Sequence, residues 1–116
     1  MNWQTIELLG YAHYSDRGYR VFVALVRNDG YDFVAEKDGE FFRVNVKVAG
    51  LKDKADPSSW SISQASGGAK GHSVKAPCDV FLTYLPEQQR FIEIPGSFLN
   101  FGNSKSRRLP KEVFLV

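Results

Sequence analysis

The chain has 116 residues, 43% of them hydrophobic and 24% charged, with a formal net charge of +2 and a pI near 8.7. This length predicts one domain over 1–116 with a modest core, and the composition argues against disorder. No apolar run approaches the roughly 20 residues of a membrane span, and a single cysteine, Cys78, excludes a disulfide framework or a cysteine zinc site.

The first twenty residues lack the basic start and apolar block of a signal peptide, so a cytoplasmic location is expected. Residues 3–16 read as a helix, with Asn2 as N-cap and Gly18 as stop; Trp3, Ile6, Leu9 and His13 fall on one face. His13 is read as structural. "YRVFVALV" (19–26) and "YDFVA" (31–35) are strands around an "RNDG" turn. "EKDG" closes a hairpin with "EFFRVNVKVA" (40–49), because Asp38-Gly39 is a two-residue turn signal. Glu36, Asp38 and Glu40 are taken as solvated turn residues.

Residues 50–58 form a polar loop, "SWSISQ" a short strand, and "ASGGAKGHSVKAP" a glycine-rich basic loop containing His72. That loop lacks the Gly-Lys-Ser/Thr ending of a phosphate-binding P-loop. "CDVFLTYL" (78–85) and "RFIEIP" (90–95) are strands joined by a turn at 86–89, with Cys78 expected to be a small core residue. "GSFLNFGNSKSRRLP" is a short helix or loop, and "EVFLV" a last edge strand. Trp3 and Trp60 are assigned to core or interface. One helix followed by a run of strands predicts an α+β domain, a mixed central β-sheet with the N-terminal helix packed on one face.

Strand periodicity over 40–49 turns Phe42, Val44, Val46 and Val48 to the core and Phe41, Arg43, Asn45 and Lys47 to the other face. Asp32, on the preceding strand, falls close to Asn45. A carboxylate, an amide and an amine on one wall suit metal-assisted phosphodiester hydrolysis. Asp32, Asn45 and the Val46 carbonyl would supply oxygens to Mg²⁺, and Lys47 would orient water or offset developing charge. The competing reading is an ordinary solvated sheet face.

In chain order stand Glu7 in the first helix, "GYRV" (18–21), "YDFVAEKDGEFFRVNVKVAG" (31–50), "CDVFLTYLPE" (78–87) and "IEIP" (92–95). Together these resemble the PD-(D/E)XK nuclease superfamily. Within it they are most similar to the small group I intron homing endonuclease type, where Gln-x-Lys replaces the acidic-x-Lys. The resemblance implies a restriction-endonuclease-like fold and a metal-dependent DNA endonuclease, with the host left open among a phage or other mobile element, a bacterium and a plastid-like genome. Asp32 matches the metal-binding aspartate, Lys47 the catalytic lysine and Glu7 the helix glutamate that completes the metal site. Asn45 departs from the pattern, one methylene shorter than glutamine. The implied catalytic set is Lys47, Asp32, Asn45 and Glu7. The implied metal set is Asp32, Asn45, Val46 and Glu7, with Mg²⁺ and Mn²⁺ as a substitute.

Double-stranded or branched DNA is the expected partner. Its candidate phosphate contacts are Arg43, Lys52, Lys54, Ser61, Ser63, Lys70, Lys75, Lys105, Arg107 and Arg108. Cutting both strands calls for two sites, hence a homodimer or homotetramer. A Holliday-junction resolvase and a catalytically decayed DNA-binding relative remain open alternatives.

Overall fold

The computed structural model describes residues 1–26, 31–51, 60–63, 78–99 and 106–108. Helix α1 spans Trp3–Ser15 and begins where the Asn2 side chain accepts the Thr5 N–H at 2.8 Å. Strands β1 (Arg20–Val23), β2 (Phe33–Lys37), β3 (Glu40–Val48), β6 (Val80–Leu85) and β7 (Arg90–Pro95) form a five-stranded sheet in the order β1-β2-β3-β6-β7. β4 (Gly50–Leu51), β5 (Trp60–Ser63) and β8 (Ser106–Arg108) form a second, three-stranded sheet. The main sheet is mixed: β3 and β6 are parallel, and every other pair is antiparallel. This is the expected α+β architecture.

The β2–β3 hairpin turns through Asp38 and Gly39, both at positive φ, as the Asp-Gly signal requires. Register sets the faces. Phe33 pairs with Val44 and Val46 with Leu82, which puts these side chains under α1 with Ala35, Ile6, Tyr14 and Tyr84. Each large apolar side chain fully buried there contributes about 1.5–3 kcal/mol. The helix can lie this close because of Gly10. A Cβ there would sit 3.3 Å from both Leu82 Cδ2 and Val46 Cγ2, already tighter than ordinary contact.

Several expectations are corrected. The buried stripe of α1 is Ile6, Gly10 and Tyr14, whereas Trp3 and Leu9 are exposed. Gly10 sets the line of closest approach to the sheet, so Ile6 and Tyr14, one turn to either side of it, are buried and Trp3 and Leu9 fall outside. The first strand is shorter than 19–26, and Leu25 and Val26 are exposed. Glu36 is buried, not solvated: it accepts from Arg20 and from the Gly39 N–H. The opposite face of β3 is covered as well in its C-terminal half, though not at Phe41 and Arg43. Asn45 and Lys47 are only 7% and 8% exposed, beside Phe81 and Thr83 of β6. Residues 50–51 and 106–108 are strand rather than loop, while 96–99 form the short helix expected there, of 3₁₀ type. The "EVFLV" segment and His72 lie outside the described residues.

Candidate active site

The site begins where the β2–β3 ladder ends. Phe33–Val44 is the last ladder pair on that side, and the chain before Phe33 peels away. Asp32 still donates its N–H to the Val44 carbonyl at 2.8 Å. Its carboxylate then reaches one step further and accepts the Val46 N–H at 2.6 Å. N–H and C=O of one strand residue point to the same side. The Val46 carbonyl therefore turns toward the Asp32 edge, while the Arg43 carbonyl turns to β6, where it accepts from Asp79.

Asn45 and Lys47 leave the sheet on the face opposite α1. The Lys47 ammonium stands 5.8 Å from the Phe81 ring centroid. Burial pulls its pKa below the ordinary lysine value, and the negative charge of Asp32 works against that pull. Cys78 lies beside this group, half-buried rather than in the core. Burial pushes its thiol up to about 12, with the Lys47 charge opposing.

On the other side of Asp32 stands α1. Tyr11 donates its hydroxyl to Glu7 Oε1 at 2.7 Å, one helical turn apart, and its ring meets Phe33 edge-on at 5.0 Å. Burial chiefly, then the Glu7 bond, then the charges of Glu7 and Asp32, raise its phenol pKa. Tyr11 thus sits in the field of both carboxylates. The sequence reading did not pick it out; its spacing of four from Glu7 was the available signal. His13 is packed edge-on against Tyr14 and Phe91, 3.5 Å from Glu93, in the structural role expected of it.

The profile of the PD-(D/E)XK endonuclease family matches residues 6–111. The chain belongs to this family. A solved structure of a bacterial homing endonuclease, I-Ssp6803I, superposes with a TM-score of 0.67 at 17% identity, covering 93% of this chain and 75% of that one. At that identity the likeness shows a shared fold. The comparison with curated proteins gives no significant match.

Endonucleases of this family generally use divalent metals, and the donor set here can be tested against that use. Asp32 and Glu7 offer carboxylates, Asn45 an amide oxygen and Val46 a main-chain carbonyl. All are hard oxygen donors, suited to Mg²⁺ rather than to a thiophilic or imidazole-seeking metal. No cluster of three or more His, Cys, Asp or Glu side chains poised for a metal occurs among the described residues. A hard divalent cation held by these residues would draw on Val46, Asn45 and water beyond the two carboxylates.

The endonuclease's candidate DNA contacts divide into three groups. Arg43 is exposed and committed to Asp79. Its guanidinium approaches both carboxylate oxygens at 3.2 and 3.3 Å, and its N–H donates to Oδ2 at 2.8 Å. Ser61 and Ser63 lie on β5, paired with Arg108 and Ser106, and Arg107 pairs with Ile62, so these four positions share the second sheet. Lys52, Lys54, Lys70, Lys75 and Lys105 lie outside the described residues. No helix among the described residues is long and apolar enough to cross a membrane.

Proposed function

We propose that this endonuclease hydrolyses DNA phosphodiester bonds with a divalent cation, Mg²⁺ or Mn²⁺, in the manner of homing endonucleases. One observation carries the reading: the Asp32 carboxylate is pinned to the Val46 N–H, on the β3 segment that also presents Asn45 and Lys47. The bond fixes a carboxylate at the strand edge to which the Val46 carbonyl is turned. The cation, when bound, polarises a phosphoryl oxygen and acidifies a water. Asp32, Glu7, Asn45 and the Val46 carbonyl are the oxygens that would hold it. Lys47, with its pKa lowered by burial, is suited to orienting the attacking water and to exchanging a proton with it more readily than an ordinary lysine would. Its charged form would balance charge gathering on the phosphorus centre.

A duplex has two strands, so this function calls for at least a pair of chains. β1 is an edge strand of the main sheet, and its exposed Phe22 lies 6.4 Å, ring centroid to ring centroid, from the exposed Phe41 of β3, an apolar patch suited to such pairing. DNA would be gripped by Arg43 and the basic positions of the second sheet and the flanking segments.

The test is cleavage of supercoiled plasmid and of a synthetic four-way junction with Mg²⁺ or Mn²⁺, comparing wild type with Asp32→Ala and Lys47→Ala. The reading expects plasmid or linear duplex cleavage that each substitution lowers by at least about 100-fold. Preferential symmetric cutting of the junction would make the protein a resolvase. Binding of DNA without cleavage would make it a decayed relative.

A further inference from the structure

We infer that Tyr11 is a positioning residue of the cation site, holding the Glu7 carboxylate in place beside Asp32. The inference rests on the endonuclease reading for its purpose, though not for its test. Glu7 stands on the first turns of α1, half-buried, on a side chain with three rotatable bonds. Left alone, such a carboxylate samples several rotamers, and ordering it costs side-chain entropy.

Tyr11 removes that freedom. Its hydroxyl donates to Oε1 at 2.7 Å, a charge-assisted bond that leaves the second oxygen to serve as a ligand. The tyrosine is itself fixed. Its ring is locked edge-on against Phe33, which is 1% exposed and follows Asp32 directly in the chain. The Asp32 charge also reaches the Tyr11 phenol. One rigid ring therefore links the helix carboxylate to the strand that carries the other carboxylate. Main-chain contacts hold Asp32, through Val44 and Val46, and a side chain holds Glu7. Hydrogen-bonded supports of this kind orient metal ligands, and losing one typically weakens binding by 10- to 100-fold at a well-formed site. A partly exposed carboxylate with one such support calls for a smaller factor.

Mn²⁺ binding to the full chain without DNA, read by the electron paramagnetic resonance signal of free Mn²⁺, tests this. Tyr11→Phe keeps the ring and removes only the hydroxyl. Its Mn²⁺ dissociation constant is expected to rise about 3- to 10-fold over wild type, while its thermal midpoint stays close to wild type. Glu7→Gln should weaken binding at least as much, and Tyr11→Phe added to Glu7→Gln should weaken it no further. Unchanged Mn²⁺ affinity in Tyr11→Phe overturns the inference. So does an equal loss from Tyr11→Phe whether or not Glu7 is present, which would mark a merely structural role. No Mn²⁺ binding by wild type at millimolar concentration overturns it too. Wild type that binds Mn²⁺ with the expected variant pattern yet cuts no DNA upholds Tyr11's role and overturns the endonuclease reading instead.

Discussion

Asp32 and Lys47 are energetically coupled, and the coupling has a sign that unfolding measurements can read. Asp32→Asn retains an acceptor for the Val46 N–H but removes the charge. A hydrogen bond to a charged group contributes about 1.5–3 kcal/mol, against about 0.5–1.5 kcal/mol for a neutral one, so this exchange alone costs about 1 kcal/mol. The same change strips Lys47 of the negative charge that offsets its burial, and leaving a buried charge less compensated adds about 1 kcal/mol or more. Asp32→Asn at pH 7 should therefore lose about 2 kcal/mol, roughly 8 °C in a domain of this size. Lys47→Met removes the buried charge and should leave stability unchanged or raise it by about 1 kcal/mol. In the Lys47→Met background, Asp32→Asn should cost only the hydrogen-bond difference. Urea unfolding of the four proteins at pH 7 gives the double-mutant cycle. Equal costs of Asp32→Asn with and without Lys47 would refute the coupling. The pH dependence carries its own sign. A lysine whose folded pKa is depressed binds its proton more weakly in the folded state, so its penalty is full below the folded pKa. Stability should then rise as pH climbs through the folded pKa toward the ordinary 10.5, in wild type but not in Lys47→Met.

Glu36 behaves in the opposite direction. The Gly39 N–H and then Arg20 hold its carboxyl below the ordinary 4.5, so its contribution is present above that value and is lost as pH falls through the folded pKa. Urea midpoints of wild type should thus fall more steeply below pH 4.5 than those of Glu36→Gln. Cys78, with its thiol pushed up to about 12, should react with a disulfide reagent at pH 8 at least about 100-fold more slowly in the native protein than in urea. Equal rates would remove the burial argument. Gly96→Ala would place a Cβ 2.1 Å from the Cys78 carbonyl oxygen, so either β7 or the start of β6 must shift. A loss of about 2 kcal/mol is expected by thermal or urea unfolding.

The hairpin was the most legible part of the chain. Its turn is written in Asp38-Gly39, and alternation over 40–48 correctly put Val44 and Val46 in the core. The same alternation placed Asn45 and Lys47 on one face with Asp32 nearby. It gave no sign that this face is covered, because Phe81 and Thr83 come from a strand far along the chain. The helix and its cap are legible in the sequence, but its buried side is not. Hydropathy favours Trp3 and Leu9, whereas the sheet contact selects Gly10 for closeness and Tyr14 for reach. Glu36 was passed over because a charged residue next to a turn usually stays in water, and only the pairing of β1 with β2 brings Arg20 across to it. Glu7 was noticed through resemblance. Its tie to Tyr11 is a local spacing that sequence inspection can see but cannot distinguish from ordinary helix packing.

The parallel pairing of β3 with β6 has a kinetic consequence. A hairpin such as β2–β3 closes on a scale of about 1–10 μs, since its contacts are local. Joining β3 to β6 instead requires the connection 49–79 to be looped out first, and such non-local pairings dominate slow folding. Early in folding, Asp32, Asn45 and Lys47 can be neighbours in water with an ordinary lysine among them. The depressed lysine arises with the burial of the complete fold, to which β6 contributes Phe81 as a neighbour. A chain caught before that step holds the right residues in the right register and lacks the environment that makes them chemically distinctive. The chemical character of Lys47 is in this sense a property of the assembled sheet and not of the hairpin that carries it.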